Sequence, residues 1–263
     1  MQLTFLGTGT SHGVPMIGCS CPTCLSADPR DQRTNASVLI TFRGKRFLVD
    51  CGRDFRQQAL RWRLDGLDYV LITHTHFDHV AGIDDLRVFT AGRERPLPLM
   101  GMAGHLEYLK SYIYHYLFEP QTQRGGGLTE VELVAVEGRF LLEGLAIETL
   151  PVFHGRMEIL GYRFGSCAYL SDVSGIPNAT LQKLFNLELL ILGALRHTEH
   201  PTHLSLPQAL AVVRELKPRR TYLTHLCHDV LHEQVERRLA EPGDPYFTGQ
   251  EVHLAYDGLS LEI

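Results

Sequence analysis

The chain has 263 residues, 44% of them apolar and 21% charged, a balance that supports a sizeable core and excludes disorder and fibrous repeats. Its 25 basic residues against 30 acidic ones give a formal charge of -5, so no global cationic field gathers nucleic acid or an anionic membrane. The longest apolar runs, such as residues 187–195 with Glu188 inside, fall short of the ~18 residues of a membrane span. Met1, Gln2 and Leu3 carry no basic leader, and a cytoplasmic placement is expected.

In chain order, branched and aromatic runs predict strands over residues 3–6, 37–42, 46–50 and 69–73. Between them, Phe55, Ala59, Leu60 and Leu64 predict a helix over 55–64, and Ile83, Leu86 and Phe89 another over 80–89. A strand is expected at 97–100, then a helix over 104–118 whose Tyr108, Tyr112 and Tyr116 share one face and read as core. A glycine break at 125–127 precedes strands at 131–136, 139–142, 145–152, 160–164 and 167–171. Helices at 179–185, 206–216 and 230–239 then alternate with strands at 189–192 and 221–223. The order, sheet first and then strand with helix, occurs twice, which suggests two similar halves. With no linker rich in Pro, Gly or Ser between them, one domain over 1–263 is expected, two β layers flanked by helices.

Fourteen histidines and six cysteines are the informative anomaly. Directly after the strand at 69–73 come His74-Thr75-His76-Phe77-Asp78-His79, an HxHxDH pattern. Four ligand-type side chains at one strand end can converge on one or two cations, and imidazole with carboxylate suits zinc, manganese or iron. His154, Asp172 and His225 each follow a predicted strand in the same way, and strand ends on one side of a sheet share a rim. His203 joins them just before a predicted helix.

Cys19, Cys21 and Cys24 lie within six residues, a claw one ligand short of a closed tetrahedral zinc site. His228, in His225-Leu226-Cys227-His228, is taken as the fourth ligand, with Cys227 as the alternative. Such a site would tie a loop at about 18–30 to the histidine rim. Gly7, Gly9 and Gly13 are spaced GxGxxxG rather than GxGxxG, which reads as a strand-to-loop turn with His12 close to substrate. Arg33 and Asn35, before the strand at Ser37, are candidate phosphate contacts. The remaining histidines, His105 and His232 among them, read as structural, and Cys51 and Cys167 as core.

Together these motifs resemble the metallo-β-lactamase superfamily over nearly the whole chain. The resemblance implies an α/β fold, the αββα sandwich of two mixed β-sheets flanked by helices. It also implies His74, His76 and His154 around one ion, Asp78, His79 and His225 around a second, and Asp172 bridging the two. The claw, the start Leu6-Gly7-Thr8-Gly9-Thr10 through Val14-Pro15, and His225 to His228 resemble the PhnP-type phosphoribosyl 1,2-cyclic phosphate phosphodiesterases. That likeness implies metal-dependent hydrolysis of a small cyclic phosphodiester, with two Mn2+ or Zn2+ ions and a structural Zn2+ in the claw. It gives Asp78 the orientation of the attacking water and His203 the protonation of the leaving group. The expected partners are a small-molecule substrate and a second copy of the chain, with neither nucleic acid nor membrane. Two alternatives stand beside this reading. Transfer-RNA 3′-processing nucleases of the same superfamily carry a His-Glu-Ala-Thr motif and a long arm, where this chain has His197-Thr198-Glu199-His200. Non-catalytic PqqB-like metal-binding carriers share the claw, but their metal motif is typically incomplete, whereas here all seven positions are filled.

Overall fold

Hydrophobic alternation builds the first sheet. In β1 (Gln2–Gly7), Leu3 and Phe5 face one side and Leu6 the other; β2 (Ser37–Phe42) divides Val38 and Ile40 from Leu39, and β3 (Lys45–Val49) divides Phe47 and Val49 from Leu48. Strands apolar on both faces need cover on both. A computed structural model describing residues 1–123 and 127–263 shows that cover. The glycine break expected at 125–127 falls largely outside the described residues.

The first sheet continues through β4 (Tyr69–Leu71), β5 (Leu97–Gly101) and β6 (Val131–Ala135). The second holds β7 (Arg139–Leu142), β8 (Leu145–His154), β9 (Met157–Phe164), β10 (Cys167–Leu170), β11 (Leu189–Gly193), β12 (Arg220–Thr224) and β13 (Glu251–Leu254). A last strand, β14 (Ser260–Glu262), returns to β1, and both sheets are seven-stranded, ordered β14-β1-β2-β3-β4-β5-β6 and β13-β12-β11-β10-β9-β8-β7. Each is antiparallel in its first strands and parallel after β3 or β10. The two similar halves expected from the sequence are therefore the two sheets.

Leu3, Phe5, Ile40 and Phe47 meet Tyr162, Phe164, Tyr169 and Ile191 in a core between the sheets. Outside the first sheet pack α1 (Phe55–Arg61), α2 (Phe77–Val80), α3 (Arg87–Thr90), α4 (Ala103–Tyr108) and α5 (His115–Phe118), through Phe55, Val80, Leu106 and Leu117. Outside the second pack α6 (Asn178–Gln182), α7 (Leu206–Leu216) and α8 (His232–Ala240). The layers are those of the αββα sandwich. In α7, Ser205 and Gln208 form a reciprocal capping box, Lys217 ends the helix at φ 48°, and Leu206, Leu210 and Val213 are buried on the sheet. Leu210→Ala there would cost about 2–5 kcal/mol.

The tyrosine face expected in a helix over 104–118 is not core. A π-helical turn at Leu109–Ile113 separates α4 from α5 and rotates the register. Leu106, Leu109, Tyr114 and Leu117 point inward instead, leaving Tyr108 49% and Tyr112 73% exposed. The helix expected over 80–89 is likewise α2, a 3-10 turn at Ile83–Leu86 and α3. No described helix is long and apolar enough to cross a membrane.

Candidate metal centre

The ends of four strands supply the site. After β4 the chain passes Thr73 and His74 and enters α2 with His76 at its N-cap, which puts Asp78 and His79 within the first turn. His154 is the last residue of β8, Asp172 follows β10, and His225 follows β12. Asp172 and His225 hold left-handed backbone, φ 48° and 58°. A non-glycine residue there costs of order 1 kcal/mol, which the surrounding structure must hold in place. Gly52 lets the end of β3 press on α2, since a Cβ on it would lie 1.9 Å from the Asp78 carbonyl. The Cys51 amide donates to the His79 carbonyl at 2.7 Å and locks that contact.

Two donor groups result. Ligand atoms of His74, His76 and His154 all lie within 4.8 Å of one another, as do those of Asp78, His79, Asp172 and His225. In the first group His74 Nε2 is 3.0 Å from His76 Nδ1. In the second, His79 Nε2 is 3.2 Å from Asp172 Oδ2 and 3.3 Å from Asp78 Oδ2, and His225 Nε2 is 3.2 Å from Asp172 Oδ1. Asp172 thus turns one oxygen to His79 and the other to His225.

The electrostatics divide in the same way. Burial, then the nearby His79, holds the His74 ring well below its ordinary pKa, and burial lowers His76 too. Burial opposes ionisation of Asp78 and Asp172, yet the facing His79 and His225 rings keep both carboxyls well below the usual range. Burial also disfavours a proton on His79, but Asp172, Asp50 and Asp78 overcome it and raise its pKa.

These donors fit divalent cations. His79 Nε2, Asp172 Oδ2 and both ring nitrogens of His225 are buried without a hydrogen-bond partner among the described residues. Leaving such atoms unsatisfied costs about 1–3 kcal/mol each, and imidazole with carboxylate is a donor set that zinc, manganese and iron all accept.

The sequence reading missed the residues that hold the ligands. Asp50, at φ 64° after β3, accepts from the Thr73 amide and hydroxyl and lies against His79 Nδ1. The carbonyls of Asp172 and Thr202 both face His154 Nδ1, at 2.9 and 2.8 Å. Each fixes a ring so that its other nitrogen faces the centre. An Asp closing the buried run at 46–50 was the one available signal for Asp50.

The claw closes on His228, 209 positions beyond Cys19: its Nδ1 is 3.2 Å from Cys19 Sγ and 3.4 Å from Cys21 Sγ, with Cys24 completing the group. The Cys24 amide first, with His228 also contributing, lowers the Cys21 thiol to about 6 against its burial, while burial pushes Cys24 up to about 11. Cys227 turns away and donates its thiol to Asp229 Oδ1 at 2.7 Å. Of the two candidates for fourth ligand, the fold brings His228 to the claw.

Arg33 and Asn35 are not free to meet a phosphate, contrary to expectation. Arg33 is 1% exposed, paired with Asp31 at 2.9 Å, and donates to the carbonyls of Cys227 and Val230 at 3.0 and 2.7 Å. It ties the segment after the claw to the segment after β12. Asn35, also 1% exposed, donates to the Thr10 and Ser11 carbonyls and so shapes the turn that carries the exposed His12. His203 does reach the centre: its ring stacks on His225 at 4.9 Å, and its Nδ1 is 3.7 Å from Asp172 Oδ1. His154, Asp172 and His203 form a further group of converging donors.

Comparison with known proteins agrees with this geometry. Residues 45–226 match the β-lactamase superfamily domain. A crystal structure described as a new diphosphatase from the PhnP family superposes with a TM-score of 0.88 at 40% identity, covering 100% of this chain and 97% of that one. A Porphyromonas gingivalis protein named octanoyltransferase is 38% identical over 265 residues, and the chain, matched over 100% of its own length, spans about half (52%) of that relative. A ribonuclease Z of Clostridium acetobutylicum is 29% identical over 152 residues, 53% of this chain and 46% of that protein. Fold and donor set define the class, a metallo-β-lactamase-type sandwich with a candidate metal centre at its rim. Within that class, the chain belongs to the β-lactamase superfamily and, through its 40% identical full-length relative, to the PhnP family.

Proposed function

We propose that the chain hydrolyses a phosphoester bond of a small phosphodiester, with phosphoribosyl 1,2-cyclic phosphate the substrate to which its motifs point. The observation that carries this reading is the pair of donor groups, one of three imidazoles and one of imidazoles with carboxylates, meeting at Asp172. His74, His76 and His154 would hold one divalent ion and Asp78, His79, Asp172 and His225 a second, which would supply positive charge for the phosphoryl oxygens and acidify water toward neutral pH. Asp78, kept ionised by His79 and His225, accepts a hydrogen bond from the attacking water and aims it at phosphorus. As the bond from phosphorus to the departing oxygen breaks, His203 gives that oxygen a proton. Burial first, and then the nearby His225, lowers the His203 pKa to about 3, so the acid role requires a bound anionic substrate to hold the proton on the ring. His12, exposed on the turn that Asn35 shapes, is the remaining candidate substrate contact. The Cys19, Cys21, Cys24 and His228 group is assigned a structural zinc that ties the N-terminal loop to the rim.

The 40% identical relative, described as a diphosphatase, favours a second reading in which the bond cleaved is a diphosphate linkage. The two separate by substrate: turnover of a cyclic phosphate or an alkyl diester supports the first, and exclusive turnover of diphosphates supports the second. His76→Ala and Asp78→Asn are expected to abolish either activity, and full activity in both variants would overturn the assignment of the site.

A further inference from the structure

Of the six cysteines, Cys51 and Cys167 are wholly buried in the core and Cys227 is turned onto Asp229. The other three share the claw, and Cys21-Pro22-Thr23-Cys24 within it is a C-x-x-C pair. Hydrogen bonding winds this pair into a single turn: the Leu25 amide donates to the Cys21 carbonyl at 3.1 Å, and the Ser26 amide to the Thr23 carbonyl at 3.2 Å. A turn of that kind sets side chains three residues apart on one side. The two sulfurs accordingly lie within 4.8 Å of each other, and the Cys24 amide donates to Cys21 Sγ at 3.5 Å. Cys19 belongs to the same group, but residues two apart do not share a side of a turn.

The pair is unequal in access. Cys21 is half-buried, whereas Cys24 is 7% exposed and its sulfur accepts from the Met16 amide at 3.3 Å. The loop around them faces solvent, with Ile17 98% and Leu25 70% exposed. A small oxidant therefore reaches Cys21 directly and Cys24 only by way of Cys21, the arrangement of an attacking thiol with a resolving thiol behind it. Resting on the zinc assigned to the claw above, we propose that Cys21 and Cys24 form a site of reversible oxidation, a dithiol that hydrogen peroxide converts to a disulfide, opening the claw. As ligands both are thiolates. Cys21 Sγ attacks one peroxide oxygen, so an S–O bond forms as the O–O bond breaks and hydroxide leaves. Cys24 Sγ then attacks Cys21 Sγ, forming the S–S bond and expelling the second hydroxide. Each sulfur gives up one electron, the peroxide takes two, and both hydroxides take protons from solvent to become water. Cys19 and His228 remain as donors, two short of a closed tetrahedral site. The His/Asp centre has no sulfur donor among the described residues, so its ligands are untouched.

The test exposes the zinc-loaded full chain to hydrogen peroxide, then reads zinc content by elemental analysis after desalting and cysteine pairing by peptide mass mapping. The expected result is loss of about one zinc per chain together with two of the six thiols. A linkage should join Cys21 to Cys24, and dithiothreitol with added Zn2+ should restore both thiols and the zinc. Cys227→Ser should respond as the wild type does, since its thiol lies outside the pair. Cys24→Ser should form no linkage and should leave Cys21 as a sulfenic acid that dimedone traps. Unchanged zinc and thiols in the treated wild type would overturn the proposal, as would a linkage of Cys21 to Cys19 or between chains. A Cys21 to Cys24 linkage formed in protein whose claw held no zinc before treatment would sink the zinc assignment while the dithiol stands.

Discussion

His79 Nδ1 and Asp50 Oδ2 lie 2.7 Å apart, and both side chains are wholly buried. The carboxylate fixes the proton on Nδ1, so Nε2, 3.2 Å from Asp172 Oδ2, is the nitrogen presented to an ion. Asp50→Ala is expected to weaken binding at the His79 position about 10- to 100-fold, and to weaken the His74, His76 and His154 position less. Chelator competition on the two ions measures this; unchanged affinities would show that Asp50 does not set the ring.

His203 stands close enough to Asp172 and His154 to be a ligand as well as a proton donor. The proposed role gives His203→Ala an unchanged ion content, a loss of about 10²–10⁴-fold on alkyl diesters, and a much smaller loss on nitrophenyl diesters, whose leaving group needs no proton. Loss of one ion per chain would make His203 a ligand instead, and equal losses on both substrates would reject the acid role.

The claw geometry separates Cys227 from its neighbours. Cys21→Ser is expected to lose the claw zinc, leaving the N-terminal loop tied to the rim by Arg33 alone among the contacts described above. Cys227→Ser, whose thiol bonds Asp229, should keep that zinc. Elemental analysis of the two variants decides between them, and zinc loss in Cys227→Ser would contradict the assignment.

His232 gives a pH dependence away from the metals. It is 2% exposed and its Nδ1 has no hydrogen-bond partner among the described residues; burial lowers its pKa to about 4 from the ordinary 6.5. Above 6.5 both folded and unfolded chains are neutral there. As pH falls toward 4 only the unfolded chain takes the proton, so stability drops, by about 2 kcal/mol between pH 7 and 5. Urea unfolding of the wild type and of His232→Asn at both pH values isolates this share, since the metal ligands contribute to both proteins. An identical pH loss in the two would show that His232 contributes nothing.

What the sequence made legible was local. His74 to His79 could be read because four ligands share one strand end, and Ser37–Phe42 because alternation is a property of the strand itself. Asp50 was missed because its role exists only once Thr73 and His79 meet it in space. Arg33 was misplaced for the same reason: a lone Arg before a strand reads as free to meet a phosphate until Asp31 and two distant carbonyls enclose it. Tyr108 and Tyr112 kept helical spacing through a segment whose π turn changes the period, so the face they formed on paper does not exist. The strands β13 and β14 were unseen because they are short and alternate with polar residues, and pairing with β12 and β1 defines them.

The most direct test titrates ions back into metal-free protein while following hydrolysis of phosphoribosyl 1,2-cyclic phosphate, a nitrophenyl diester and a dinucleoside diphosphate. Turnover is expected to begin only as the second catalytic ion binds, and to be absent from His76→Ala and Asp78→Asn at every ion concentration. Full turnover without ions, or a fully occupied protein inert toward all three phosphoesters, would contradict the two-ion phosphoester hydrolysis proposed for this site.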